Sequence, residues 1–348
     1  MRWRPPCPPQ AARAAGAHRR RIRAVLKWRG LDDIPADWGR CVVTIGVFDG
    51  VHRGHRDLIG AAVEAARRRG IRSVLMTFDP HPSEVIRPGS HPAQLSTLAR
   101  RAELAGELGI DVFFVLPFGQ ELSKLSPERF VHELLVERLH VTEVVVGDNF
   151  GFGHKAAGDV AVLTELGERF GFTVRGVPLL SEDEVTVSST YVRSCVAAGD
   201  VEAARAALGR PHRVEGVVVR GQRRGRDLGY PTANVDSAPF TAIPADGVYA
   251  AWFTRYGYDT GDDALAAGVP YPAAVSVGTN PTFSGQVRTV EAFVLDKDVD
   301  LYGQHVAVDF VARIRPMEPF DSVEALIEAM GGDVERARDA LADDGAAR

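Results

Sequence analysis

Cysteine, long apolar runs and net positive charge are all lacking in this sequence, and each lack excludes a class of protein. The three cysteines, Cys7, Cys41 and Cys195, are odd in number and widely spaced, which argues against a disulfide framework or a zinc knuckle. No apolar run approaches the ~18 residues that a membrane-spanning helix needs. Only four of the 41 basic residues are lysine, and the net charge of -5 argues against a general nucleic-acid binder. We therefore expect a cytoplasmic protein with neither nucleic-acid nor membrane partners.

What is present is the composition of a globular protein. Hydrophobic residues make up 45% of the chain and charged residues 25%, which is enough for a real core. The 348 residues can form two domains of ordinary size. Residues 1–24 are rich in Arg, Ala and Pro and lack the apolar region of a secretory signal. We expect this segment to be a disordered extension, with order beginning near Val25.

The first half predicts an α/β domain with a parallel sheet. Amphipathic helical patterns follow most of the short apolar runs, which read "CVVTIGVF", "RSVLMTF", "DVFFVLP", "EVVVG" and "TVRGVPLL". Such alternation indicates βαβ units with helices on both faces of the sheet. Ligands of such sheets bind at the carboxyl ends of the strands.

The pattern changes after two short helices predicted in "TYVRSCVAAGDVEAARAALG". Short strand-like runs then follow one another with Gly and Pro turns, which predicts a small antiparallel β-barrel. Two C-terminal helices are expected, in "SVEALIEAM" and "DVERARDALAD". The boundary near Gly209 to His212 predicts domains of residues 25–208 and 209–348.

The stretch "GVFDGVHRGH" contains candidate functional residues at the point where a predicted strand ends and a helix begins. Gly46 and Gly50 permit close backbone approach, and His52 and His55 lie three residues apart beside unpaired helix N-terminal amides. Imidazoles there can bind phosphate and stabilise charge that develops in a transition state. A zinc site would need further ligands at a compatible spacing, and none follows. Two surface histidines that cap a helix are the remaining alternative.

A second stretch, "RGQRRGRDLGYPTANV", predicts a phosphate-binding loop in the second half. Gly221, Gly225 and Gly229 recur at every fourth position, but no G-K-[ST] follows, so this is not a Walker A loop. Exposed amides of such a loop can bind phosphate. Thr232 and Asn234 offer neutral oxygens that suit Mg²⁺. Taken alone, the composition also fits a flexible turn.

The motifs of the first half together resemble a known family. "TIGVFDGVHRGH", "TFDPHP", "VVGDNFGFG" and "VSSTYVR" resemble the FMN adenylyltransferase module of bacterial bifunctional riboflavin kinase/FAD synthetases, over about residues 28–208. The resemblance implies a Rossmann-like nucleotidyltransferase domain and a flavin site bordered by Pro80, His81 and Pro82. The implied ATP-binding residues are Gly46, Phe48, Asp49, Gly50, His52, His55, Asn149, Ser188, Ser189, Thr190 and Arg193. Without the resemblance, "SST" before a helix indicates an N-cap, and the proline-rich stretch indicates a turn.

The second half is similar to the riboflavin kinase signature G-R-x-L-G-[FY]-P-T-A-N. Further matches are "PADGVYAAW", "SVGTNPTF" and "VEAFVLD", and the similarity runs over about residues 213–340. It implies that Glu291 is the catalytic base for the ribityl 5'-hydroxyl, a role that a carboxylate can fill. It also implies ATP–Mg²⁺ binding by Gly221, Gly225, Arg226, Thr232 and Asn234, with Thr232 and Asn234 on the metal.

The two resemblances imply one chain with two transferase sites. Riboflavin and ATP would give FMN, and FMN with a second ATP would give FAD and pyrophosphate, whose charge His52, His55, Arg193 and Mg²⁺ would stabilise. One alternative is an enzyme with a single live activity, which the complete motif set in each half disfavours. Another is a flavin- or nucleotide-sensing regulator, which has no need of Glu291 together with both histidines. The sequence is compatible with a homo-oligomer and does not define the oligomeric state.

Overall fold

A parallel six-stranded sheet forms the centre of the N-terminal half. The computed structural model describes residues 25–221, 229–257, 265–282 and 285–346, so the predicted extension of residues 1–24 lies outside it. The strand order is β1-β4-β3-β2-β5-β6 with every pair parallel. The strands are β1 (Leu26–Arg29), β2 (Cys41–Ile45), β3 (Arg72–Asp79), β4 (Val112–Pro117), β5 (Val141–Gly147) and β6 (Thr173–Val177). The predicted parallel sheet is confirmed.

Helices cover both faces of this sheet, and each face has its own apolar core. In the helix after β2, Leu58, Ile59, Ala62 and Val63 recur at helical spacing and are buried against the strands. The helices are α1 (Arg53–Arg69), α2 (Pro82–Ile86), α3 (Leu98–Glu107), α4 (Gln120–Ser123), α5 (Pro127–Arg129), which continues as a π-helix (Phe130–Val136), α6 (Val160–Phe170), α7 (Ser189–Ala198) and α8 (Val201–Leu208). Two 3₁₀ turns (Leu31–Asp33, His154–Ala156) and a hairpin of β7 (Ser181–Glu182) and β8 (Val185–Thr186) complete this half.

The C-terminal half is a closed antiparallel barrel, as predicted. Its order is β10-β13-β12-β11-β14-β9, and β10 pairs with β9 to close it. Tyr249, Phe253 and Phe310 are fully buried in its interior. The strands are β9 (His212–Val219), β10 (Ala233–Ser237), β11 (Gly247–Arg255), β12 (Pro270–Thr282), β13 (Gly285–Val294) and β14 (His305–Pro316).

The prediction of two C-terminal helices is wrong, because a single helix, α9 (Val323–Ala346), replaces them. Asp333, which was expected to begin the second helix, is buried inside α9, and its carboxylate accepts from Arg315 of β14 at 2.8 Å and from Arg336 at 2.6 Å. Two adjacent glycines in the same turn each cost ~1 kcal/mol of helix propensity. Burial of Ala337 and Leu341 against the barrel offsets that cost.

The two halves touch through short loops and through α8. Gln94 donates its backbone N–H to the carbonyl of Phe240 at 2.6 Å and accepts from Ala242 at 2.8 Å. The chain leaves α8 at residue 208 and enters β9 at residue 212. This crossing point lies at the predicted boundary, and the domain limits of 25–208 and 209–348 stay a prediction. No helix among the described ranges is both long and apolar enough to cross a membrane.

Candidate active sites

The first candidate site, here named the histidine cavity, has a volume of about 510 Å³. It opens where β2, β5 and β6 end and where α1 and α7 begin, which is the edge at which parallel sheets bind ligands. The predicted site residues that line it are Gly46, Phe48, His52, His55, Pro82, Asn149, Ser188 and Ser189. The structure therefore brings together residues from four separate motifs of the sequence.

The two histidines form a stacked, neutral pair. Their ring centroids lie 3.6 Å apart, and His52 Nδ1 accepts the backbone N–H of His55 at 3.3 Å. Because Nδ1 accepts, the proton of neutral His52 resides on Nε2. Burial first, and the Arg210 cation second, lower the pKa of His52 to about 4. Burial also holds the pKa of His55 well below its ordinary value.

His55 has a buried polar atom that no described protein group satisfies. Its Nδ1 is buried and has no hydrogen-bond partner among the described residues. Buried polar atoms without partners are rare in native structures and ask for an explanation. Neutral imidazoles in this position offer N–H donors and add no net charge at pH 7. Such donors suit the oxygens of a polyphosphate.

The start of α7 supplies the opposite wall of the histidine cavity. Ser188 is the N-cap of this helix, and its Oγ accepts the backbone N–H of Tyr191 at 3.2 Å. Ser189 Oγ donates to the carbonyl of Asp49 at 2.9 Å. The N-termini of α1 and α7 thus both face one cavity, and each carries a partial positive charge. The arrangement favours an anion between them.

Four residues of the predicted ATP set do not line this cavity, namely Asp49, Gly50, Thr190 and Arg193. Asp49 is 2% exposed, and its carboxylate accepts from the backbone N–H groups of Leu95 and Ser96. Arg193 donates to Asp49 Oδ2 at 2.7 Å and from Nε to a backbone carbonyl at 2.6 Å. Thr190 is exposed on the first turn of α7. Asp49 and Arg193 therefore shape the loop around the histidines, and the ATP contacts of all four residues stay predictions.

The predicted flavin border lies beside the histidine cavity and is only partly in it. Pro82, at the start of α2, lines the cavity together with Phe78. His81 caps α2, since its Nδ1 accepts the backbone N–H of Ser83 at 3.1 Å, and burial lowers its pKa to about 4. Pro80, directly before it, is outside the cavity lining. Phe78 and Pro82 give this part of the cavity an apolar wall.

The second candidate site, here named the barrel cavity, has a volume of about 760 Å³. It brings together Gly221, Thr232, Asn234 and Glu291. Thr232 Oγ1 donates to Glu291 Oε2 at 3.4 Å, and Asn234 lies directly opposite Glu291 across β10 and β13. A Cβ on Gly221 would collide with the Asn234 amide, so only glycine leaves that amide in place. Gly225 and Arg226 lie outside the described residues.

The oxygen ligands in the barrel cavity suit a hard cation. The Thr232 hydroxyl and the Asn234 amide are neutral oxygen donors, and Glu291 adds a carboxylate next to them. No group of three or more His, Cys, Asp or Glu within the described ranges could hold a metal by itself. Mg²⁺ usually keeps water and substrate phosphates as ligands and takes few from the protein. The donor set therefore fits Mg²⁺ carried by ATP.

Sequence reasoning missed part of the wall of the barrel cavity. Arg193, Val196 and Ala197 reach it from α7 of the first domain, and Arg288 and Phe240 reach it from the barrel. Local pattern gives no signal for such residues, because their position depends on how the two domains pack. The structure itself gives one indication of function, since Phe240 is a large aromatic side chain that is 60% exposed.

Comparisons with known proteins identify a family for each half of the chain. Residues 34–191 match the family model described as FAD synthetase, and residues 208–341 match the model described as riboflavin kinase. A bifunctional riboflavin kinase/FMN adenylyltransferase of Pseudomonas fluorescens is 39% identical, covering 89% of this chain and 96% of that protein. The Escherichia coli K12 protein of the same name is 35% identical, covering 86% and 92%.

A solved structure has the same two-domain fold. This Streptococcus pneumoniae chain, described as a macrolide-efflux protein, superposes with a TM-score of 0.79 at 30% identity, covering 90% of this chain and 99% of that one. The two family models together cover most of the chain, and the two relatives are similar over nearly their whole length. The chain belongs to the bifunctional riboflavin kinase/FMN adenylyltransferase family.

Proposed function

We propose that each of the two activities of this family uses one of the two cavities. The chain is a riboflavin kinase and an FMN adenylyltransferase, and makes FMN and then FAD. We assign the kinase reaction to the barrel cavity and the adenylyl transfer to the histidine cavity. The observation that carries the assignment is the gathering of Thr232, Asn234 and Glu291 in one cavity and of His52 and His55 in the other.

In the barrel cavity, Glu291 acts as the general base. Its carboxylate takes the proton of the ribityl 5'-hydroxyl, whose oxygen attacks the γ-phosphorus of ATP and releases ADP. Thr232 holds Glu291 through its hydroxyl, and Thr232 and Asn234 would hold the Mg²⁺ of the ATP complex through their oxygens. Mg²⁺ supplies neutralisation of the phosphate charge. The backbone at Gly221, with Gly225 and Arg226, binds the phosphates.

In the histidine cavity, the chain binds and orients two anions. An oxygen of the FMN phosphate attacks the α-phosphorus of ATP, and pyrophosphate leaves without a covalent enzyme intermediate. His52 and His55 donate hydrogen bonds to the phosphate oxygens, and the N-terminus of α7 stabilises the negative charge on the pyrophosphate. Asn149 contacts the nucleotide, and Pro80, His81 and Pro82 border the flavin.

The remaining parts of the proposal concern setting and substrates. We propose that riboflavin, FMN and ATP are the substrates, that ATP carries Mg²⁺, and that the enzyme is cytoplasmic with no nucleic-acid or membrane partner. The domain limits that go with it are residues 25–208 for adenylyl transfer and 209–348 for the kinase. Hydrogen bonds between the domains, such as that from the Gln94 N–H to the Phe240 carbonyl, support a proposal in which both sites belong to one packed molecule.

The test is to incubate the full chain with riboflavin, ATP and Mg²⁺ and to separate the flavins by chromatography. We expect FMN to form first and FAD to follow. Accumulation of FMN alone would refute the assignment of the histidine cavity. An absence of any flavin turnover would refute both assignments and favour a flavin- or nucleotide-sensing protein.

A further inference from the structure

We propose that Arg210, in the connection between the two domains, is a positioning residue for adenylyl transfer. Its Nη2 donates to the carbonyl of Gly50 at 2.5 Å, and its Nη1 donates to the carbonyl of Val51 at 3.1 Å and that of Leu208 at 3.3 Å. Gly50 and Val51 immediately precede His52. The guanidinium therefore holds the two peptide units that lead into the histidine pair. This inference rests on the proposed use of the histidine cavity.

The loop that Arg210 holds has a strained backbone. Phe48 has a φ of 54° and Val51 a φ of 41°, in the left-handed region that side chains rarely adopt. For a β-branched residue such as Val51 this is a true outlier. Strain of this kind persists only where the surroundings over-determine the conformation. Since Arg210 bonds the carbonyl of Val51 itself, it is one of the contacts that keep this conformation.

Other contacts hold the same loop from the opposite side. The backbone N–H of Gly50 donates to Ser96 Oγ at 2.9 Å, and the Asp49 carboxylate bonds Arg193 and two backbone amides. Those contacts come from the first domain. Arg210 differs, because it lies in residues 208–341, which match the riboflavin kinase model, and beyond residues 34–191, which match the FAD synthetase model. The kinase half thus contributes a side chain to the other half's site.

Burial of the charged Arg210 guanidinium costs free energy. Among the described residues, its side-chain hydrogen bonds go to three backbone carbonyls and none goes to a carboxylate. Burial, with the nearby cations Arg100 and Arg56, lowers its pKa to about 10, so the guanidinium is still charged at pH 7. A largely buried cation without an ion pair costs free energy unless its hydrogen bonds compensate. Here the compensating bonds all go to backbone carbonyls, two of them in the strained loop.

The same charge acts on His52. Arg210 and Arg193 both disfavour its protonation, Asp49 favours it, and the stacked His55 is neutral. Arg210 is the largest of these charge effects. Removal of the cation therefore raises the pKa of His52 toward its ordinary range. The position of His52 and its protonation state therefore both depend on Arg210, which lies between the two domains.

The experiment compares Arg210→Gln and Arg210→Lys in the full chain. For conversion of FMN to FAD, we expect Arg210→Gln to lower kcat by about 10 to 100-fold, the size that a small misplacement of a reacting group produces. The KM for ATP should change much less. Arg210→Lys keeps the charge but loses the two-pronged contact, so its kcat should lie between those of the wild type and Arg210→Gln. Conversion of riboflavin to FMN by the same preparations should stay at the wild-type rate.

Arg100→Gln is the matched control, because it removes a neighbouring cation that contacts neither loop carbonyl, and we expect its kinetics to equal those of the wild type. A wild-type kcat for FAD formation in Arg210→Gln would overturn the inference. So would an equal loss of both activities with a lower melting temperature, since that is the result of a purely structural role. A wild-type enzyme that forms no FAD at all would refute the proposed function, and the inference with it.

Discussion

Arg193 Nη2 lies 2.7 Å from Asp49 Oδ2, and this ion pair joins the two cavities of the molecule. Asp49 belongs to the loop that carries the histidine pair, whereas Arg193 lines the barrel cavity. The Asp49 carboxylate also lies 3.3 Å from Arg101, which is itself buried. One buried carboxylate thus balances two guanidinium groups.

Asp49→Asn should be strongly destabilising. It leaves Arg101 buried without its counter-charge, a loss of about 3 to 5 kcal/mol in the free energy of unfolding. Urea denaturation at pH 7.5 measures the effect. The control is Asp296→Asn, which removes an exposed ion pair with Arg338 and should change the free energy of unfolding far less. Equal losses in the two variants would contradict the role given to Asp49.

Glu291→Gln should abolish only the first reaction. Loss of a general base lowers the rate of FMN formation by about 10² to 10⁴-fold, because the ribityl hydroxyl keeps its proton. Conversion of added FMN to FAD should continue at the wild-type rate, since it takes place in the other cavity. Both rates are measured by separating the flavins over time. Glu328→Gln, on the exposed face of α9, is the control and should leave both reactions intact. Loss of both activities in Glu291→Gln would argue against independent sites.

His52→Asn should abolish only the second reaction. Asparagine can still cap α1, so the helix start is preserved while the imidazole donor is lost. Removal of one such donor lowers kcat for FAD formation by about 10² to 10³-fold. FMN formation should be unchanged. His132→Asn, which alters a partly exposed histidine of the π-helix, should affect neither rate. A fully active His52→Asn enzyme would show that the histidine pair does not contact phosphate.

Gly221→Ala should impair the kinase through Asn234. The new Cβ has to displace the Asn234 amide, so the KM for ATP–Mg²⁺ in FMN formation should rise. Gly278→Ala adds the same methyl group where nothing lies within 4 Å, and it should be silent. Steady-state kinetics at varied ATP distinguishes the two. An unchanged KM in Gly221→Ala would mean that Asn234 does not bind the metal–nucleotide complex.

Stability should fall on acidification below pH 6.5. His52 and His81 have folded-state pKa values of about 4, below the ordinary value of 6.5, so the unfolded chain binds their protons first. The stability they contribute is therefore complete above pH 6.5 and is lost as the pH falls toward 4. Urea unfolding at pH 7, 6 and 5 measures the slope. A double variant, His52→Asn with His81→Asn, should show a shallower loss, and an identical slope would contradict the buried neutral state.

The sequence predicted those parts of the two candidate sites whose residues lie close together along the chain. Gly50, with a φ of 79°, and the two histidines lie within six residues, so motif and geometry coincide there. The parallel sheet and the barrel followed from hydrophobic patterning. The four-residue strand β1 was missed because only Trp28 of it is buried, which leaves no periodic signal.

Other features of the site depend on contacts between distant residues. Arg193 and Asp49 are 144 positions apart, and Arg210 reaches Gly50 across 160. No local pattern tells whether an arginine binds phosphate or a neighbouring carboxylate. The error at the C-terminus has the same origin: Asp333 was the first residue of the predicted second helix, but its partner Arg315 lies on β14.

Helix α7 runs from one cavity to the other, so its length gives the distance between the two sites. Ser188 at its start lines the histidine cavity, and Ala197 near its end lines the barrel cavity. At 1.5 Å per residue these two points are only about 14 Å apart along the helix. Flavins held in both cavities at once would therefore be near neighbours optically, so excitation of one can pass to the other. On the proposed assignment, a fall in the polarisation of flavin emission would therefore report double occupancy, with no label attached.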